Sequence, residues 1–205
     1  AADGTPLGAL CGIDTRPRDI EQRELDILGD LANLTMEQLE LRLLATRDGL
    51  TGALRRIPFL ASAAGVVALA QGQGNPLACL MIDADNFKTI NDEWGHAIGD
   101  EVLVRLVAAI RSELRPADTL GRFGGEEFCV FLPDTGLAGA LQLAERVRRA
   151  VAAIRLPLAD GEVGVTASIG AAEIEPTDTT PGDLIQRADA ALYDAKNLGR
   201  NRVAA

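Results

Sequence analysis

Apolar positions follow two different periods along the chain, and the changes of period predict its secondary structure. Residues 17–47 carry apolar side chains at helical spacing, whereas 77–83 is a continuous apolar run typical of a buried strand. Beyond residue 48 the pattern predicts helices at 53–71, 137–154 and 182–197, and a further helix that ends near residue 114. It predicts strands at 77–83, 163–174 and 201–204, and a hairpin of two strands at 119–132. A hairpin at 119–132 together with crossover helices predicts an α/β or α+β sandwich, in which a mixed central sheet has helices on both faces.

The beginning of the chain is predicted to be separate from the rest. Residues 5–14 form a predicted glycine-rich strand with no partner strand before it, and an isolated strand cannot satisfy its own backbone groups. We therefore interpret 1–16 as the last piece of an upstream domain, 17–47 as a signalling helix and 48–205 as a second domain. Because the chain begins without Met, we expect it to be a fragment of a longer protein.

The predicted helix at 17–47 carries a seven-residue repeat. One series is apolar throughout and a second, interleaved series is mixed. The first series is Ile20, Ile27, Leu34 and Leu41, and the second is Glu24, Leu31, Gln38 and Ala45. This spacing is typical of a two-stranded parallel coiled coil, so we expect a homodimer through this helix. A helix packed on its own domain is the alternative.

Acidic residues outnumber basic ones by 30 to 20, which gives a formal net charge of −10. This charge opposes binding to DNA, RNA or anionic lipid, and we expect none of them as a partner. No apolar run is long enough to cross a bilayer, which predicts that this fragment has no membrane segment. Cys11, Cys79 and Cys129 lie in apolar runs without metal-ligand spacing, so we expect three buried thiols and a reducing, cytoplasmic location.

Three carboxylates are candidate ligands for a metal ion. The stretch GRFGGEEFCVF (121–131) places Glu126 and Glu127 directly after two glycines, and an apolar strand ends at Asp83. If the two strands are neighbours in one sheet, the three carboxylates approach one another and repel unless a cation lies between them. Oxygen ligands without a histidine or cysteine cluster favour Mg²⁺ or Mn²⁺. An exposed acidic hairpin is the alternative.

The residues around these carboxylates suggest a nucleotide. Gly124 and Gly125 have no side chains, so a large ligand can lie against the turn. Freed backbone amides after Asp83 are suited to a phosphate. Asp85 is interpreted only as the cap of the following helix.

Five further polar residues have a functional interpretation to weigh against a structural one. Asn91 and Asp100 carry the amide and carboxylate that pair with the Watson–Crick edge of guanine, although an Asp near a helix start is favourable in any case. Lys196 and Arg200 lie at the end of the last helix, where the helix dipole favours cations and where a triphosphate is equally well held. His96, the only histidine, is interpreted as hydrogen-bonded within its turn; a catalytic base is the alternative.

Four motifs in this order resemble a GGDEF domain, the catalytic domain of diguanylate cyclases. They are DGLTG, DADNFKTINDEWGHAIGD, GRFGGEEF and ADAALYDAKNLGRNRV, which together run from Asp48 to Val203, about three quarters of the chain. The stretch 1–16 is similar to the closing strand of a GAF-type sensory domain. The resemblance implies a palm-like nucleotide cyclase fold that condenses two GTP molecules into cyclic di-GMP and releases two pyrophosphates.

The resemblance also implies roles for individual residues. Asp83, the carbonyl of Ala84 and Glu126 would hold Mg²⁺ (or Mn²⁺), Glu127 would serve a second ion, and Glu126 would accept the proton of the attacking 3′-hydroxyl. The implied substrate-binding residues are Phe87, Lys88, Asn91, Asp100, Gly125, Lys196 and Arg200. Because one site holds one GTP, two domains must meet across a two-fold axis.

The segment Arg115-Pro116-Ala117-Asp118 is similar to the inhibitory product site of the family. Arg146, on the next helix, is its expected partner, and we expect feedback inhibition by cyclic di-GMP. The sequence departs from the family after DGLTG, where Arg55-Arg56-Ile57 replaces the usual Asn-Arg-Arg; this change affects local packing or the dimer contact more than the chemistry. The alternative function is a non-catalytic receptor for GTP or cyclic di-GMP, and a cyclase that uses ATP is a second alternative.

Overall fold

The computed structural model of the protein describes residues 11, 13, 19–158 and 161–205. The chain divides into two compact units, Ala1–Arg47 and Asp48–Ala205. The helices are α1 (Gln22–Thr46), α2 (Arg56–Gln73), α3 (Phe87–Trp94), α4 (His96–Glu113), α5 (Leu137–Ala152) and α6 (Pro181–Asn197). The strands are β1 (Leu54–Arg55), β2 (Leu77–Ala84), β3 (Thr119–Arg122), β4 (Glu127–Pro133), β5 (Arg155–Leu158), β6 (Gly161–Gly164), β7 (Ala167–Glu173) and β8 (Val203–Ala204).

The first unit contributes one described helix, α1, of 25 residues. Its apolar seam is exposed: Ile27, Leu34 and Leu41 are each at least half accessible to solvent. The helix predicted at 17–47 is therefore present from residue 22. The strand predicted at 5–14 lies almost entirely outside the described residues, so the upstream domain stays a prediction, as does the coiled coil.

The second unit is built on a mixed sheet of six strands in the order β1-β3-β4-β2-β7-β8. The pairs β1–β3 and β7–β8 are parallel, and the other pairs are antiparallel. All eight residues of β2 are buried, because this strand is hydrogen-bonded on both edges and covered on both faces. The prediction of a mixed sheet with helices on its faces is confirmed.

Alternation along β2 separates two apolar cores. Ala78, Leu80 and Ile82 pack with α4 and α5 on one face, whereas Cys79 and Met81 pack with α2 and α6 on the other. Because successive side chains alternate, Asp83 belongs to the face that α6 covers.

Helix α6 lies unusually close to β7, and a glycine permits this. An added Cβ at Gly170 would lie 2.0 Å from the carbonyl oxygen of Ala188 and 2.2 Å from the amide nitrogen of Leu192. No residue with a side chain fits there unless the helix moves away. Gly170 therefore fixes the height of α6 above the sheet.

Two predictions are corrected, one about a strand of this unit and one about Cys11. The strand predicted at 163–174 is two strands, β6 and β7, and β6 pairs with β5 in a small separate sheet. The sequence did not reveal the division, because residues with strand propensity continue across it. Cys79 and Cys129 are buried as expected, but Cys11 is exposed, since an apolar run is buried only where another element covers it. No helix in the described ranges is long and apolar enough to span a membrane.

Candidate active site

Asp83 and the two hairpin glutamates meet at one edge of the sheet. Asp83 is the Cα partner of Glu127 in the β2–β4 ladder, and the Ala84 amide donates to the carbonyl of Glu126 at 3.3 Å. This register follows from two apolar strands that pair over their full length. The prediction that the two strands are neighbours is confirmed, and the acidic residues are brought together at the backbone level.

Asp83 is a buried carboxylate with one direct cationic partner. Its side chain is one-tenth exposed and accepts from Lys196 Nζ at 2.9 Å. Burial raises the pKa of Asp83 above its ordinary value of 3.8; the hydrogen bond and charge of Lys196 lower it, and the charges of Glu126 and Glu127 raise it again. The pKa of Asp83 stays raised because burial and the two glutamates together outweigh the lysine.

A divalent cation is the predicted ligand of this position. In the described part of the chain, no group of three or more His, Cys, Asp or Glu side chains is arranged to hold a metal ion. The groups present nonetheless fit a hard cation, because they are oxygen donors, they carry excess negative charge, and one of them is backbone at Ala84. The set of Asp83, Ala84, Glu126 and Glu127 as metal ligands stays a prediction.

The hairpin that carries the glutamates is held by Arg122. Its guanidinium donates to the carbonyl of Gly125 through Nε at 3.0 Å and Nη2 at 2.7 Å, and its Nη1 contacts Asp48 Oδ1 at 2.8 Å. Burial raises the pKa of Asp48, but hydrogen bonds from Thr51 and Arg122 outweigh this and hold that pKa below 3.8. The first residue of the domain is thereby linked to the tip of the hairpin.

The two glycines of the hairpin have different roles. An added Cβ at Gly124 would lie 2.7 Å from Glu127 Oε2, so this glycine makes room for the glutamate of its own hairpin. At Gly125 an added Cβ would have no neighbour within 4 Å, and the residue is exposed. Only Gly125 leaves open space beside the turn, as expected of a ligand-facing position.

The α3–α4 corner brings together the two predicted base-reading residues. An added Cβ at Gly99 would lie 1.9 Å from Asn91 Oδ1, so the asparagine amide lies directly over this glycine. Asp100 follows Gly99 and is exposed. The sequence analysis did not identify Gly99; its signal was a glycine inside a helical pattern, which costs helix stability and therefore needs a reason.

The segment between β2 and α3 is suited to an anion. Asn86 has φ +54°, and the helix begins at Phe87, which is buried, while Lys88 is exposed. The amides at a helix start have no partner within the helix and carry the positive end of its dipole. These positions agree with the predicted phosphate contacts, which the structure does not test.

The predicted cations at the end of α6 are placed differently from each other. Lys196 is engaged with Asp83, whereas Arg200 is exposed in a turn at φ +57°. The amide of Arg200 donates to the carbonyl of Ala195 at 3.1 Å, which folds the turn back on the helix. Both residues therefore lie at the same end of α6.

Asp85 does not act as the predicted helix cap. Asn86 is the residue before α3, and no side chain caps this helix. Asp85 is instead buried and accepts from Thr166 Oγ1 and Ser168 Oγ, each at 2.7 Å, and from the Asn201 amide at 3.0 Å. These partners lie far along the chain, so no local pattern revealed them.

The predicted inhibitory residues form a turn beyond α4. The Arg115 amide donates to Asp118 Oδ2 at 2.7 Å, and the Asp118 amide donates to the Arg115 carbonyl at 3.0 Å. The turn leaves the Arg115 side chain exposed. Arg146 on α5 pairs with Glu113 at 2.9 Å, two residues before the turn, so the expected partner lies close by.

Similar proteins identify the family. The model of the family described as "Diguanylate cyclase, GGDEF domain" matches residues 45–202. The response regulator PleD of Caulobacter vibrioides is 43% identical over 162 residues, which are 78% of this chain and 36% of PleD. The diguanylate cyclase DgcP of Pseudomonas aeruginosa is 36% identical over 217 residues, 99% of this chain and 32% of DgcP. The chain thus spans about a third of the length of these relatives.

A solved structure has the same architecture. The coiled coil and GGDEF domain of DgcB from Caulobacter crescentus, in complex with c-di-GMP, superposes with a TM-score of 0.83 at 31% identity and covers 89% of this chain and 96% of that one. The family model, the relatives and the fold agree over the same residues. The chain belongs to the GGDEF domain family of diguanylate cyclases.

Proposed function

We propose that the protein is a diguanylate cyclase that condenses two GTP molecules into cyclic di-GMP with release of two pyrophosphates. The observation that supports this most is the β2–β4 register, which places Asp83 opposite Glu127 and beside Glu126. A module that only binds nucleotide has no need of two glutamates whose charges raise the pKa of a buried aspartate. The named relatives DgcP and DgcB are consistent with the same activity.

Each residue of the site has a distinct task in this proposal. Asp83, the Ala84 carbonyl, Glu126 and Glu127 would hold Mg²⁺. Metal ions, when bound, lower the pKa of the attacking hydroxyl and neutralise charge on the leaving pyrophosphate. Glu126 accepts the proton as the 3′-oxygen of one GTP forms a bond to the α-phosphorus of the other, and the bond from that phosphorus to the pyrophosphate oxygen breaks. A second, identical step closes the ring.

The remaining residues bind and orient the substrate. Asn91 and Asp100 read the guanine base at the α3–α4 corner, and Gly125 gives the nucleotide room at the hairpin. The amide of Phe87 and the cations Lys88, Lys196 and Arg200 bind the phosphates. Lys196 neutralises Asp83 in the free protein and is released to the phosphates when magnesium and nucleotide arrive together.

The reaction requires two domains, because each site binds one GTP. The exposed seam of Ile27, Leu34 and Leu41 on α1, together with Ile20 just before it, is at least half accessible at every position and supports pairing with a second copy of the chain. A parallel coil would bring the two following domains to the same end. Polar residues within the seam weaken the coil and allow it to shift.

Product inhibition is part of the proposal. Arg115 and Asp118 present a guanidinium and a carboxylate on an exposed turn, with Arg146 nearby on α5. Guanidinium groups bind phosphate and guanine edges in a bidentate way. Cyclic di-GMP bound there would hold two domains apart.

The test is incubation of the protein with Mg²⁺ and either GTP or ATP, followed by chromatography of the nucleotides. A version joined to a strong dimerising coiled coil ensures that the domains meet. Cyclic di-GMP from GTP and no product from ATP is the expected result. Consumption of ATP would support the alternative cyclase, and GTP binding without consumption would support the receptor.

The variant that tests the metal site is Asp83→Asn, whose side chain has the same size but lacks the charge that a cation needs. Turnover is expected to fall by at least about a hundredfold, the scale of losing a main electrostatic group in a site. Unchanged turnover in this variant would contradict the assignment of the metal site.

A further inference from the structure

Strained backbone in the second unit is concentrated around one carboxylate. In the described ranges, four residues other than glycine have positive φ: Asn86, Asp134, Arg200 and Asn201. Asn86 is next to Asp85 in sequence, and Arg200 and Asn201 form the turn that Asp85 contacts. Such conformations are unfavourable and persist only where the surroundings impose them.

Asp85 uses both carboxylate oxygens to hold the segments that carry these strained residues. Oδ1 accepts from Ser168 Oγ at 2.7 Å, and Oδ2 accepts from Thr166 Oγ1 at 2.7 Å and from the Asn201 amide at 3.0 Å. The Asp85 amide donates to the carbonyl of Thr166 at 2.8 Å. The carboxylate is 4% exposed, so these bonds are not exchanged for water.

The contacts join two segments that are far apart in sequence. One is the β2–α3 connection that includes Asn86 and the amide of Phe87, and the other is the turn that carries Arg200. Asn201 is also held by Arg148, whose Nη1 donates to its side-chain oxygen at 2.6 Å. Both segments supply predicted phosphate contacts, and Asp85 lies between them.

We propose that Asp85 is a positioning residue that holds the β2–α3 connection and the Arg200 turn in the spacing that a nucleoside triphosphate requires. The inference rests on the proposed function, because it names the residue that assembles the phosphate part of that site. Asp85 touches neither substrate nor metal in this assignment. It acts through Asn201, Thr166 and Ser168.

Two substitutions of Asp85 separate positioning from a role of the charge itself. Asp85→Asn can keep its oxygen toward Thr166 and the Asn201 amide and turn its NH₂ toward Ser168, whose hydroxyl can accept. We expect this variant to bind a non-hydrolysable GTP analogue within about threefold of the wild type. Asp85→Ala loses every bond, and we expect its affinity for the analogue to fall about tenfold or more.

Titration calorimetry in Mg²⁺ with the GTP analogue and with GMP is the measurement. If Asp85 positions the phosphate segments, Asp85→Ala should weaken binding of the analogue. Its affinity for GMP should stay within about twofold of the wild-type value, because base recognition at Asn91 and Asp100 is intact. Adding Asn201→Gly to Asp85→Ala should restore part of the loss, since glycine adopts positive φ without strain. The remote control is Asp134→Gly, which removes the fourth strained residue and should change neither affinity.

Three results would overturn the inference. Asp85→Ala could bind the analogue as tightly as the wild type does, or its affinity for GMP could fall as much as its affinity for the analogue. Asp85→Asn could also bind the analogue as weakly as Asp85→Ala does. If Asp85→Ala does not fold, Thr166→Val removes one donor at constant shape. Its affinity for the analogue alone is expected to fall about threefold, and wild-type affinity in this variant would equally overturn the inference.

Cyclic di-GMP formation by the wild type is measured in parallel. Binding that depends on Asp85 without any product would contradict the proposed function and leave this inference standing.

Discussion

Gly99 offers a sharp test of base recognition, because stability and binding should respond in opposite directions. In Gly99→Ala the new Cβ would begin 1.9 Å from Asn91 Oδ1 and 3.2 Å from Phe87 Cζ. Separations below 3.0 Å do not occur for a real Cβ, so the amide must move by about 1.1 Å, from 1.9 to 3.0 Å. A hydrogen bond of ordinary length does not survive such a shift.

The expected magnitudes follow from these contacts. Loss of the Asn91 contact to guanine costs about 1–3 kcal/mol, which weakens GTP binding by about fivefold to 150-fold. Replacing glycine by alanine inside a helix contributes roughly 0.5–1 kcal/mol of stability. The flexible amide can turn away, so we expect the variant to melt no lower than about the wild-type temperature.

Calorimetric titration with a non-hydrolysable GTP analogue and thermal unfolding measure the two effects. Gly65→Ala is the matched control: Gly65 lies within α2, and an added Cβ there meets nothing within 4 Å. It should stabilise the helix and leave nucleotide binding unchanged. The double variant Gly99→Ala/Asn91→Ala should bind no more weakly than Asn91→Ala alone, because both act on one amide. Wild-type affinity in Gly99→Ala would refute the assignment of Asn91 as a base reader.

Three further predictions concern the hairpin, the product and pH. Arg122→Ala removes both bonds to the Gly125 carbonyl and should lower turnover by about tenfold or more, with some loss of stability; full turnover at saturating GTP would argue against a hairpin held by Arg122. Arg115→Ala should raise the product concentration for half-inhibition by at least about tenfold while the initial rate is retained, and unchanged inhibition by added cyclic di-GMP would contradict the product site. Hydrogen bonding from Arg148 lowers the pKa of Glu145 from its ordinary 4.5 to about 2, so its stabilising effect is complete above pH 4.5 and is lost as the pH falls toward 2. Glu145→Gln should lose at most about 1 kcal/mol at pH 7, since the pair is partly exposed, and denaturant titrations should show this gap closing between pH 4.5 and 2; a gap that is constant with pH would disprove it.

The acidic edge of the sheet was predictable from the sequence for a physical reason. Continuous apolar runs are buried on both faces, so β2 and β4 had to be interior strands. A sheet with few interior strands leaves little choice of neighbours, so β2 and β4 pair although α3, α4 and β3 lie between them in the chain, and this brings Asp83 and Glu127 to one edge. The helices followed from their apolar period, and α6 begins within one residue of its predicted start.

The parts that were missed depend on contacts between distant segments. Asp85 follows a strand and precedes a helix, so its local sequence indicated a cap, whereas its partners Thr166 and Ser168 are 81 and 83 residues away. Gly99 resembles any glycine within a helix until the position of Asn91 is known. Single-sequence patterns specify which face of an element is apolar, but they do not specify which polar groups meet across elements.

The absent side chain at Gly170 has a consequence for how this enzyme family diversifies. Lys196 lies one to two helical turns, roughly 6–12 Å, beyond the point where α6 presses on that glycine. A methyl group at position 170 would lift the helix and carry the lysine away from Asp83, although Gly170 is not among the proposed ligand contacts. Inactive descendants can therefore arise with every ligand-facing residue intact, and inspection of the pocket alone would misjudge them as functional.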